Sequence, residues 1–123
     1  MASNKLIRFG PVAMANAATN IVNAPTLAGG TGLAGTNANT YIVLRHIRIV
    51  NKTAGAITAS LYIGATGGSA AGTEFAFNAT SIAANSYVDW YGMVRLEPAD
   101  FLSGLASAAT SLTIEGEGEL GVV

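Results

Sequence analysis

The chain of 123 residues contains no cysteine. That excludes a disulfide framework, a thiolate nucleophile and cysteine-ligated zinc. It is also poor in charge: six basic and seven acidic residues make up 11% of the chain, less than half of the usual quarter or so. The net charge of −1 gives no electrostatic reason to expect nucleic acid or an anionic membrane as a partner. No apolar run approaches the roughly 20 residues that cross a bilayer. The first ten residues, MASNKLIRFG, start cationic but lack the apolar stretch of a signal peptide, so none is expected. The glycosylation triplets Asn51-Lys52-Thr53 and Asn78-Ala79-Thr80 are then expected to be coincidences of an Asn- and Thr-rich chain.

What the chain has instead is Ala, Gly, Thr, Ser and Asn. A lone monomer normally covers itself with charge, so a surface this neutral points to one that faces other subunits. The length suits a single domain over residues 1–123, with enough chain to bury a core.

Periodicity of two dominates from residue 41 onward. Ile57, Ala59, Leu61 and Ile63 alternate with Thr58, Ser60 and Tyr62, as in a half-buried strand. Residues 41–50 and 57–63, joined by the turn-forming NKTAG, predict an antiparallel hairpin. Further strands are expected at 74–78, 86–97, 101–107 and 111–123, with a turn at EPAD, 97–100. Helical patterning is not sustained anywhere, and the array points to an all-β sandwich or barrel; an antiparallel β-sandwich of jelly-roll-like kind is the expected fold. Before residue 41 the pattern is weaker. One edge strand is expected near 11–22, residues 1–10 are expected to be an arm, and 26–40 a long Gly/Ala-rich loop, either one that docks on a neighbouring subunit or a flexible surface loop.

Candidate chemistry is sparse. Arg45-His46-Ile47-Arg48 holds the only histidine. On strict alternation His46 and Arg48 share one face, while Arg45 shares the other with Val43, Ile47 and Ile49, so the cations do not converge. Without a second histidine or a cysteine, no metal site is expected at His46. Arg45 is expected to pair with an acid at the sandwich edge or across a subunit boundary. In SYVDWYGMVRLE, Trp90 faces the core with Val88, while Tyr87, Asp89 and Tyr91 face the other way, at an interface or edge. A sugar-stacking platform is the alternative there. Glu115, Glu117 and Glu119 fall on one strand face, as an acidic edge that blocks strand-to-strand aggregation or pairs with a neighbour's arginines or, with a bend at the intervening glycines, as a calcium site. GATGG at 64–68 lacks the Lys-Ser/Thr and the helix of a phosphate loop.

Taken together, FGPVAMANAATNIV, YIVLRHIRIVNKTAGAITASLYIG, SIAANSYVDWYGMVRLEPADFL and SLTIEGEGEL resemble small β-sandwich virion proteins of tailed bacteriophages, over about residues 9–120. The resemblance implies a structural protein without enzyme activity, catalytic residues or cofactor. A capsid decoration protein that binds the major capsid protein lattice as a homotrimer on the virion surface is the first expectation. A tail or fibre component, or a glycan-binding module, is the alternative. The longer 26–40 segment departs from the pattern. Interface residues expected on this reading are Leu6, Ile7 and Phe9 of the arm, Leu27 and Leu33 of the loop, and Arg45, Arg48, Tyr87 and Tyr91 of the strands.

Overall fold

The described residues form nine strands in two antiparallel sheets in a computed structural model, and the alternating apolar residues of the long strands face one another between the sheets. The structure describes residues 5–23, 26–27, 40–64 and 68–122. The strands are β1 (Lys5–Ala13), β2 (Thr19–Asn23), β3 (Thr26–Leu27), β4 (Thr40–Asn51), β5 (Ile57–Gly64), β6 (Thr80–Ile82), β7 (Ser86–Leu96), β8 (Phe101–Ala106) and β9 (Leu112–Val122). One sheet runs β1-β9-β4-β7 and the other β3-β2-β8-β5-β6. Apart from the two-residue β3, this strand order is that of a jelly roll, with consecutive strands crossing between the sheets except β5 and β6, which pair with each other.

Phe9, Ile42, Leu44, Ile47 and Ile49 of the first sheet and Leu61, Ile82 and Leu102 of the second are fully buried in one cluster. Each such side chain contributes roughly 1.5–3 kcal/mol relative to exposure. Thr73–Phe77 runs along β5, its backbone bonding Leu61 and Ile63, and Phe75 of this stretch meets Trp90 of β7 edge-on at 4.9 Å. Trp90 is thus part of the packing, as its alternation with Tyr91 requires.

Several expectations need correction. Residues 41–50 and 57–63 are strands, but they do not form a hairpin: β4 pairs with β7 and β9, β5 with β6 and β8. The turn between them is a corner from one sheet to the other. The expected arm is, from Lys5 on, strand β1, laid antiparallel on β9 with Phe9 opposite Gly116. The single strand expected near 11–22 is in fact the end of β1 and all of β2. Of the 26–40 loop, Thr26–Leu27 are β3 and Thr40 opens β4. The rest of that loop, including Leu33, and residues 1–4 of the arm lie outside the described residues.

The β1 misreading has a physical cause. Ile7 and Phe9 point inward, and so do Val12 and Met14, but a register shift between Phe9 and Val12 breaks the alternation. Gly10, at φ +69, sits in that shift with its α-carbon against the Ile114 carbonyl, where no side chain fits. The odd spacing hides a strand that the apolar residues otherwise declare.

Candidate functional site

The outer face of β1-β9-β4-β7 collects most of the chain's charge: Arg8, Arg45, Arg48 and Arg95 with Asp89, Glu115, Glu117 and Glu119. Strict alternation would have sent Arg45 inward. Instead the β4 register slips: Leu44 lies opposite Gly118 and His46 opposite Glu117, so Arg45 is an extra residue bulged out of the ladder with β9. The bulge reverses parity, keeping Ile42 and Leu44 before it and Ile47 and Ile49 after it all buried. Arg45, His46 and Arg48 therefore share one face. Two consecutive polar residues, Arg45-His46, inside an alternating strand are the sequence mark of this bulge.

His46 is the centre of the face. Its Nε2 lies 2.8 Å from Asp89 Oδ1 and its Nδ1 3.0 Å from Glu117 Oε1. Both partners only accept, so the geometry suits an imidazolium that donates from both nitrogens. Burial lowers the imidazole pKa, but the hydrogen bonds and charges of Asp89 and Glu117 outweigh it, and the net shift is upward from 6.5. Tyr91 stacks on the ring with centroids 4.5 Å apart and planes 15° from parallel. With both nitrogens engaged by carboxylates, neither is free to activate a nucleophile.

Asp89 carries the next link. Arg48 donates Nε to Oδ1 at 2.8 Å and Nη2 to Oδ2 at 3.0 Å, a bidentate pair. Arg48 and, in smaller part, His46 hold the Asp89 carboxyl down to about 2, against a smaller upward push from burial. Arg48 also lies over Tyr87 at 4.3 Å, and Arg95 over Tyr41 at 4.1 Å. Arg45 meets Glu119 at 2.8 Å, so its partner is within the same chain.

The glutamates of β9 are not an edge, because β9 lies between β1 and β4. Their alternating glycines face inward, where a side chain on Gly116 would overlap the Phe9 ring. Among the described residues no group of acids and imidazole has the arrangement of a metal site.

The expected interface residues divide. Leu6, Arg45, Arg48, Tyr87 and Tyr91 are on this outer face, with Leu6 84% and Tyr91 69% exposed. Ile7 and Phe9 are not surface residues, since both are buried in the core. Leu27 pairs with Val22 at the edge of the other sheet. Sequence reasoning missed Met93, 70% exposed, and the role of Asp89 as the shared acceptor. The register that brings Asp89 beside Arg48 is set by the long pairing of β4 with β7, which no local motif announces. Beyond these residues, Leu6, Arg45 and Glu119 border a shallow depression of about 390 Å³. No family model matches the chain, and no curated protein matches its sequence.

Proposed function

We propose that the chain is a non-enzymatic structural protein of a tailed-phage particle, a capsid decoration protein that binds the major capsid protein lattice as an oligomer. One observation carries the interface part of this reading. Every large apolar side chain found exposed among the described residues (Leu6, Val50, Tyr87, Tyr91 and Met93) lies on the outer face of the β1-β9-β4-β7 sheet. Aromatic residues, Met and Arg are what protein interfaces concentrate. Most of the charges among them are paired, Arg45 with Glu119, Arg48 and His46 with Asp89 and Arg95 with Glu97, so the face can be covered with few ions left without a partner. The jelly-roll strand order is used by capsid proteins and by lectins alike, which makes it compatible with the reading without selecting it. The phage assignment itself rests on the sequence resemblance. Several weak contacts from one oligomer on a repeating lattice add up to tight attachment.

The test is localisation and copy number in purified particles. Density spread over the capsid, with hundreds of copies per particle on the order expected for lattice binding, supports decoration. Density confined to the tail, at low copy number, replaces it with the tail reading. A glycan-binding module is the second reading, favoured by the exposed Tyr87 and Tyr91 rings beside Asp89. It requires glycan-array binding that Tyr91→Ala abolishes; binding that survives this change, or none at all, removes it.

A further inference from the structure

Sheet edges decide where a β-protein meets its own kind, because an open edge offers unpaired N–H and C=O groups to another strand. Among the described residues three of the four edges are guarded. The β1 edge carries Pro11, a register shift and the cations Lys5 and Arg8. In the other sheet the edge strands are β3, of two residues, and β6, of three. The stretch that continues β6 along β5 is broken by Ala76 at φ 64. The fourth edge is β7. It runs for 11 residues with no proline and no lysine, and its ladder bonds go to β4 alone. That ladder shifts register between Tyr91 and Val94, but unlike β1 the strand keeps its alternation through the shift, with Tyr91, Met93 and Arg95 exposed and Trp90 and Val94 packed on the core.

We propose that β7 pairs antiparallel with β7 of a second copy about a two-fold axis at Gly92, joining two β1-β9-β4-β7 sheets into one. The strand is self-complementary in this register. Homotypic antiparallel pairing must keep each residue opposite one of the same face and the same hydrogen-bonding direction, so a shift is allowed only in steps that preserve both. Centring on Gly92 sets Asp89 opposite the second copy's Arg95, and Tyr91 opposite its Met93, each occurring twice. On the inner face Trp90, half-buried as it stands, meets Val94 of the second copy, and the core continues across the junction. Centring one residue toward either end loses the match. About Tyr91, Asp89 faces Met93; about Met93, Asp89 faces Glu97. Cross-strand opposite charges and sulfur–aromatic pairs both stabilise such a ladder. Arg95 is exposed, and its present contacts, the Tyr41 ring and Glu97 just past the end of the strand, leave it within reach of the second copy.

The contact is isologous and closes as a dimer, whereas the resemblance to decoration proteins implies a trimer. It concerns this chain alone and does not depend on the virion reading, so particle localisation neither supports nor weakens it.

The test starts with the purified full-length chain in sedimentation equilibrium at micromolar concentrations. The expected species has twice the chain mass. Arg95→Glu sets a carboxylate opposite Asp89 and weakens the dimer roughly tenfold or more, while Lys5→Glu on the guarded edge leaves it unchanged. Register is read by oxidative cross-linking, for which the chain offers no cysteine of its own. An equimolar mixture of Tyr91→Cys and Met93→Cys chains yields the mixed disulfide ahead of either homodimer. A monomer at every concentration, a three-chain mass, or homodisulfides that form as fast as the mixed one would each overturn the proposal.

Discussion

Arg48 and Asp89 face each other in register across β4 and β7 and share two hydrogen bonds, of 2.8 and 3.0 Å. The same carboxylate accepts from His46. Removing its charge therefore acts on two cations at once. Asp89→Asn is expected to bring the His46 pKa down toward its ordinary 6.5, and to lower the melting temperature. Imidazole proton shifts followed by NMR across pH check the first, and thermal unfolding the second. An unchanged His46 titration would mean that Glu117 alone holds the proton.

The two titrating groups predict a stability plateau with opposite signs at its ends. His46 is raised above 6.5 in the folded state, so its contribution is complete below pH 6.5 and is lost as pH rises through the folded value. Asp89 is depressed from 3.8 to about 2, so its contribution is complete above pH 3.8 and is lost as pH falls toward 2. The groups facing His46 are Asp89 and Tyr91 from β7 and Glu117 from β9, with Arg48 two residues along its own strand. Urea unfolding across pH is expected to show the plateau, and His46→Gln to remove only its alkaline decline. A decline of equal size in that variant refutes the assignment to His46.

Gly116 and Phe9 give a packing prediction. A β-carbon at Gly116 would overlap the buried Phe9 ring and come within 2.7 Å of the His46 carbonyl oxygen. Gly116→Ala is expected to cost about 1–3 kcal/mol, as overpacking does. Gly55, with nothing within 4 Å of the same position, is its control: Gly55→Ala should stay within about 0.5 kcal/mol. Phe9→Ala should cost about 3–5 kcal/mol if the ring is core, and close to nothing if residues 5–10 were a detached arm. Chemical denaturation of the three variants separates these outcomes.

How far the sequence revealed this fold depends on the range of the interaction concerned. Strand positions are local, and the alternation of Ile57 to Ile63 or of Leu112 to Leu120 places β5 and β9 within a residue or two. Pairing is not local. NKTAG has the chemistry of a turn, and a turn looks alike whether it folds a strand back on its neighbour or carries it to the opposite sheet. The charged face fell between these cases. Its carboxylates, Glu115, Glu117 and Glu119, were visible as a same-face row, but the row's partners depended on a single bulged residue. Treating β4 as perfectly alternating put Arg45 on the wrong side, although Leu44 to Ile47 is a step of three between buried residues.

The corner that misled the hairpin expectation rests on Asn51. This side chain is fully buried, and its Nδ2 donates to the carbonyls of Gly55 at 2.9 Å and Ile82 at 3.0 Å. Its Oδ1 accepts from the backbone N–H of Thr53 at 2.9 Å and the Thr53 hydroxyl at 2.7 Å. One amide thus shapes the turn leaving β4 and ties it to β6 in the other sheet, while leaving the Asn51-Lys52-Thr53 triplet closed to glycosylation in the folded chain. Asn51→Ala removes the donor to the Gly55 and Ile82 carbonyls and the acceptor for Thr53, and is expected to cost about 2–3 kcal/mol. Asn51→Asp keeps the shape but replaces a donor with an oxygen that faces two carbonyls. When ionised it is also a buried charge without a cation. Its loss of stability should therefore be larger at neutral pH than in mild acid, where a protonated carboxyl can donate to one of them. The two variants, unfolded in urea at both pH values, distinguish a corner held by the amide donor from one held by the loop backbone alone. In the second case Asn51→Asp would follow the wild-type pH profile.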